Sequence, residues 1–167
     1  MILFAMPSMA DDAARAFDSH IGTWHTSLRR LKHPLTHSTT WLAYEGTTTV
    51  REVLRGRANL VELEVAGEAG RIDGVSLRLY DPRMGQWTLN YANLADGTLA
   101  TPAVGRFEGS RGEFYNDEKI GGRDVRVRFV IEPQGPEVIR FEQAFSIDNG
   151  RTWEVNWIAT DTRVVAR

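Results

Sequence analysis

Apolar and polar residues alternate along most of this chain. In Val125-Arg126-Val127-Arg128-Phe129 every second residue is apolar, and Leu77-Arg78-Leu79 repeats the pattern. A period of two sends successive side chains to opposite faces of a strand, so such runs predict half-buried strands rather than helices. Turn-forming residues punctuate them at Gly67 to Gly70, Asp81-Pro82, Asp96-Gly97, Gly109 to Gly112, Gly121-Gly122, Pro133 to Pro136 and Asp148 to Gly150. This spacing predicts about nine or ten antiparallel strands joined up and down, as in a barrel or a sandwich. Ahead of them, Asp11 to Phe17 can form one short helix ending by Gly22, with an Asp near its start as cap and dipole partner.

A correct hairpin register must gather like residues on one face. Turning at Gly121-Gly122 pairs Phe114 with Phe129, Asn116 with Val127 and Glu118 with Val125, and sets Tyr115 by Arg128 and Asp117 by Arg126 on the other face. Turning through Asp81 to Gly85 pairs Leu79 with Trp87, Leu77 with Leu89 and Val75 with Tyr91, leaving Ser76, Arg78, Thr88 and Asn90 on the reverse. In the last hairpin Ile139, Phe141, Phe145 and Ile158 compete with Val138, Ala144, Val155 and Trp157 for the inside. The Phe face is preferred, and it brings Gln143 and Asn156 inward.

Composition narrows the class. A chain of 167 residues suits one domain, and 42% hydrophobic with 25% charged residues is an ordinary globular balance. Twenty Lys and Arg against 22 Asp and Glu, scattered along the chain, leave a net charge of −2, so neither a nucleic-acid partner nor membrane insertion is expected. The absence of cysteine excludes disulfides, thiolate catalysis and Cys-ligated zinc. Ser8-Met9-Ala10 has the small residues of a secretory cleavage site, but no basic segment precedes it and Ile2 to Ala5 is short for an apolar core. The expectation is a cytoplasmic protein, or a periplasmic one if the true start lies upstream. Residues 1–10 read as an N-terminal extension and 11–167 as a single barrel domain.

Ser146-x-Asp148-x-Gly150-x-Thr152-Trp153 fills every position of the Asp-box known from sialidase propellers. One copy cannot build a propeller, whose boxes recur blade by blade. It is therefore read as a structural hairpin: Asp148 accepts backbone N–H bonds, Gly150 takes a positive φ, and Trp153 packs beneath.

Gly22-Thr23-Trp24, after the short helix and at the start of the first strand, resembles the G-x-W signature of lipocalins and other calycins. That resemblance implies that Trp24 plugs a closed barrel end with a cation from the last strand, Arg163, stacked on it. Further stretches, Leu77-Arg78-Leu79-Tyr80-Asp81-Pro82, Gly105-Arg106-Phe107-Glu108, Gly112-Glu113-Phe114-Tyr115 and Gln143-Ala144-Phe145-Ser146 among them, resemble those of the uncharacterised bacterial DUF1579-like calycin proteins. The resemblance implies a calycin-like β-barrel and no particular activity.

The haem-binding nitrobindins share the Gly-Thr-Trp opening but use a barrel histidine as iron ligand. Here His20, His25, His33 and His37 all lie early, so no haem is expected. His33 and His37 have helical metal spacing, but Pro34 breaks a helix there and no carboxylate completes a site, so no metal or other cofactor is expected. Lys32 to Ser38 can form a lid at one barrel mouth. Arg51, Glu62, Tyr91, Arg106 and Glu142 are the groups available for acid–base chemistry, as in a lyase, isomerase or cyclase.

The favoured expectation is a barrel that binds an apolar or amphipathic small molecule, lined by Trp87, Tyr91, Phe114, Asn116, Phe129, Gln143 and Asn156. The alternatives are an enzyme in the same cavity and a filled barrel acting through its surface. A Trp-bearing outer face between Trp153 and Trp157 is a candidate surface for a homodimer.

Overall fold

A computed structural model describes residues 9–165, so the expected N-terminal extension lies, up to Ser8, outside the described residues. Helix α1 (Met9–Ala14) begins ahead of Asp11, which places Asp11 and Asp12 inside it rather than at its cap. A 3-10 turn at Asp18–His20 leads into β1 (Gly22–Leu31). The remaining strands are β2 (Trp41–Val53), β3 (Ala58–Gly67), β4 (Gly70–Asp81), β5 (Gln86–Asn93), β6 (Thr98–Leu99), β7 (Ala103–Glu108), β8 (Arg111–Ile120), β9 (Arg123–Gly135), β10 (Val138–Ser146) and β11 (Glu154–Arg163). All pairings are antiparallel; β4 pairs with β5 and β1 with β11, which closes ten strands into a barrel and leaves the short β6 outside, on β5. Closure removes the open edges that would otherwise invite pairing with another chain.

The β8–β9 hairpin has the register its sequence predicts, with Phe114 opposite Phe129, Asn116 opposite Val127 and Asp117 opposite Arg126. Gly121 and Gly122, at φ 57° and 81°, form the two-residue turn that fixes it. The β4–β5 hairpin differs from expectation by one residue: Tyr80, Arg78 and Ser76 stand opposite Trp87, Leu89 and Tyr91, where Leu79, Leu77 and Val75 were expected. The turn spans Pro82 to Gly85, because the Gly85 N–H bonds the Asp81 carbonyl at 2.9 Å and the Asp81 carboxylate accepts the Arg83 N–H at 2.8 Å. Ser76 and Arg78 consequently face the interior, not the solvent.

In the last hairpin β10 turns Ile139, Phe141, Gln143 and Phe145 inward, the preferred face. A bulge between Gln143 and Ala144 shifts β11 against it. Trp157 therefore lines the interior while Ile158, opposite Glu142, points out. This removes the outer face that was to carry both Trp153 and Trp157.

One end of the barrel is plugged. Phe17 is fully buried, its ring edge-on to Trp87 and Phe107 at 4.9 Å each. Trp24 donates its indole N–H to the His20 carbonyl at 2.8 Å, and Trp87 donates its own to Ala13 at 3.0 Å, so both tryptophans bolt the N-terminal segment beneath the strands. The Arg163 guanidinium lies 4.1 Å over the Trp24 ring and donates to the Ile21 and Ser19 carbonyls at 3.0 and 2.7 Å. A side chain at Gly22 (φ 136°) would push into Arg163 Nη1, which explains the glycine.

The β10–β11 connection is organised by Asp148. Its carboxylate accepts the backbone N–H groups of Arg151 and Thr152 at 3.0 and 2.9 Å and the hydroxyls of Thr152 and Ser146 at 2.7 and 2.8 Å. Gly150, at φ 84°, lies against the Trp153 ring, which in turn carries the Arg128 guanidinium at 4.5 Å. Those bonds, the Thr152 N–H first, hold the Asp148 pKa down at about 2, from 3.8. A carboxylate with a depressed folded-state pKa contributes stability that is complete above the unfolded value and lost as pH falls through the folded one. Asp148→Ala is therefore expected to lower the melting temperature at pH 7, with the gap to wild type closing as pH falls from 3.8 towards about 2; an unchanged melting temperature at pH 7 would contradict this role.

Candidate functional site

Above the plug the barrel is hollow. Several inward positions carry small side chains, Gly74, Ser76, Ala103 and Ala159 among them, and together they leave a cavity of about 340 Å³. That is ligand-sized. Leu28, Leu63, Leu89, Phe129, Phe141 and Trp157 give it apolar walls. It runs from His20 and Arg78 beside the plug to the exposed rim residues Ala100 and Thr101. The Tyr91 ring occupies the space above Gly74, where any β-carbon would stand 2.5 Å from the phenol oxygen.

The floor is polar, and sequence reasoning did not find it. Thr26 donates to Asp161 Oδ1 at 2.6 Å, and because that uses its only proton, the 2.6 Å contact between Thr26 and Thr48 must have Thr48 as donor. Burial pushes the Asp161 pKa up, with the Thr26 bond and Arg78 opposing. Arg78 lies with its guanidinium 4.2 Å over the Phe17 ring, and its Nη1 is buried without a hydrogen-bond partner. Burial lowers its pKa to about 10, which leaves it charged at neutral pH. His20, against Phe17 and Phe107, is pushed down to about 3 by burial and by the nearby Arg78 and Arg163, and so is neutral.

Four of the sequence-predicted ligand residues, Tyr91, Asn116, Phe129 and Gln143, line the cavity. Trp87 and Phe114 are buried in the plug below it, and Asn156 sits behind Gln143, whose amide donates to Asn156 Oδ1 at 2.7 Å. Asn116 donates to the Thr101 carbonyl at 2.7 Å and to Glu118 at 3.0 Å; both partners are acceptors, which fixes the amide orientation and leaves its buried Oδ1 unpartnered. Of the five acid–base candidates only Tyr91 reaches the cavity: Arg51 and Glu62 form an exposed ion pair at 3.3 Å, Glu142 bonds Arg140 at 2.9 Å, and Arg106 is exposed. His33 and His37 are exposed, and none of Lys32 to Ser38 lines the cavity, although the Leu35 N–H ties that loop to Glu154 at 2.7 Å. The signal for Arg78 was its place between Leu77 and Leu79, and it was read with the wrong sign because both faces of β4 carry apolar residues.

Fold and cavity together define a closed antiparallel β-barrel with a plugged end and a hollow, mostly apolar interior. Solved structures share this architecture. The S-type phycobiliprotein lyase CPES from Guillardia theta superposes with a TM-score of 0.62 at 10% identity, over 96% of this chain and 100% of that one. EF1p2_mFAP2b bound to DFHBI gives 0.50 at 10% identity, over 91% and 99%. At such identity the likeness is one of fold. No family model matches the sequence and no curated protein matches it.

His20 gives the site a pH signature. Its folded-state pKa lies below its unfolded value of 6.5, so the unfolded chain takes up a proton that the folded one refuses. The stability this contributes is complete above 6.5 and lost as pH falls towards about 3. Asp161, with a raised pKa, works in the opposite direction. Urea midpoints of the wild type are expected to fall between pH 7 and pH 4, and those of His20→Gln to fall less steeply; equal slopes would contradict a buried neutral His20.

Proposed function

We propose that this chain binds an apolar or amphipathic small molecule inside its barrel. The observation that carries the reading is the 340 Å³ cavity, open at one rim and walled by Phe129, Phe141 and Trp157. A filled barrel would have no such space. The same fold in EF1p2_mFAP2b is bound to DFHBI, which supplies a precedent for the architecture and no argument about residues. The ligand contacts fall to Tyr91, Asn116, Phe129 and Gln143, with Trp87, Phe114 and Asn156 behind them as support. The G-x-W opening and the Arg163–Trp24 stack support placing the barrel among the calycins.

An enzyme in the same cavity is the second reading, favoured by Asp161 and Arg78 on the floor. Against it, Asp161 accepts the hydroxyl of Thr26, which Thr48 in turn holds in place, an arrangement that satisfies a buried carboxylate rather than readies it for proton transfer.

The neutral fluorophore N-phenyl-1-naphthylamine tests binding, because its emission rises in apolar surroundings. One molecule per chain is expected to bind. Ala159→Phe, which places a ring in the cavity, should weaken binding about tenfold or more while circular dichroism stays that of a folded barrel. No fluorescence gain with wild type, or equal affinity in the folded variant, would contradict an internal site.

A further inference from the structure

Arg78 is the only lysine or arginine among the residues lining the cavity. It belongs to none of the ion pairs among the described residues. Its side chain is half-buried and lines the cavity; Nη1 is fully enclosed without a partner, and among the described residues no other guanidinium N–H of Arg78 donates to a protein acceptor either. The Phe17 ring beneath it offers a π face and no lone pair, so the stack holds the guanidinium in place without using its N–H donors.

Two carboxylates line the same space, and neither forms a hydrogen bond or ion pair with Arg78, although Asp161 is near enough to offset part of its charge. Asp161 is bonded by Thr26, and Glu118, near the rim, accepts from Asn116. Asn59, which faces Arg78 in the β3–β4 register, has a buried Oδ1 that is itself unpartnered, but no hydrogen bond joins the two and Asn59 does not line the cavity, so the donors of Arg78 that face the cavity stay free for a guest. A half-buried cation whose N–H donors go unused is costly, and an acceptor brought in by a guest can take the donors that face the cavity. Because a guanidinium recognises planar oxyanions through parallel N–H bonds, the group that fits is a carboxylate or a close analogue.

We propose that the barrel's ligand is an amphipathic acid, with its carboxylate on Arg78 at the cavity floor and its apolar body against Phe129, Phe141 and Trp157. This rests on the reading of the barrel as a small-molecule site. It also gives the ligand a direction: acid end inward, beside the plug, and tail towards the rim at Ala100 and Thr101.

A matched pair of probes separates the charge from the tail. Decanoate and decan-1-ol, titrated calorimetrically into the full chain at pH 7.5, share one tail and differ in the head group. Wild type is expected to bind decanoate at least about tenfold more tightly. Arg78→Met should abolish that preference while keeping the affinity for the alcohol, and Arg78→Lys, which keeps the charge but not the fork, should retain part of it. Equal affinity of wild type for acid and alcohol, or a preference that survives in Arg78→Met, would overturn the assignment of Arg78 and leave the cavity reading standing. Binding of neither probe would overturn both. The wild-type comparison decides the matter even if Arg78→Met does not fold.

Discussion

Closing a sheet of ten strands into a ring sets the terms for everything else in this molecule. With the strands hydrogen-bonded all round, through β4–β5 on one side and β1–β11 on the other, each inward side chain must share one enclosed volume. Ten strands enclose more than side chains readily fill. The chain answers this differently at its two ends: Phe17, Trp24, Trp87 and Phe114 pack one end solid, while Gly74, Ser76, Ala103 and Ala159 leave the other hollow. The N-terminal segment is part of that answer, since Phe17 fills the plug and the indoles of Trp24 and Trp87 hold its backbone in place.

The same division explains how far the sequence could be read. Alternation, turn residues and the G-x-W opening were enough for an all-β barrel with one short helix. The β8–β9 register was legible because a two-residue glycine turn and opposed charges agree on it, down to the 2.6 Å pair of Lys119 and Asp124. The β4–β5 register was not, because an alternation argument assumes that the bulky apolar face points in. Around a cavity that assumption fails: Gly74, Ser76 and Arg78 face inward, while Leu77 and Leu79 lie half-buried on the outside. In the last hairpin the obstacle was a bulge, which swapped Trp157 for Ile158 across the wall and left no mark in the pattern of residue types.

The candidate site was therefore half legible. Phe129 and Asn116 followed from a correct hairpin, but the polar floor lies on β4, β1, β2 and β11, where Arg78, Thr26, Thr48 and Asp161 meet only through closure of the ring. Residues that the sequence offered for acid–base chemistry are mostly outward-facing ion pairs such as Arg51 with Glu62. What the cavity floor holds instead is the Asp161 carboxylate bonded by Thr26, the neutral His20 and an arginine with donors to spare.

A barrel that serves as a small-molecule site in the cell should leave it with that molecule inside. Native mass spectrometry of the full chain, purified gently from its own source and compared with the same chain after denaturation and refolding, addresses this directly. The expected result is a mass excess corresponding to one small molecule per chain, lost on collisional activation and absent from the refolded protein. A chain that emerges at its bare mass, and that gains nothing when the refolded protein is returned to an extract of the same cells, would contradict it.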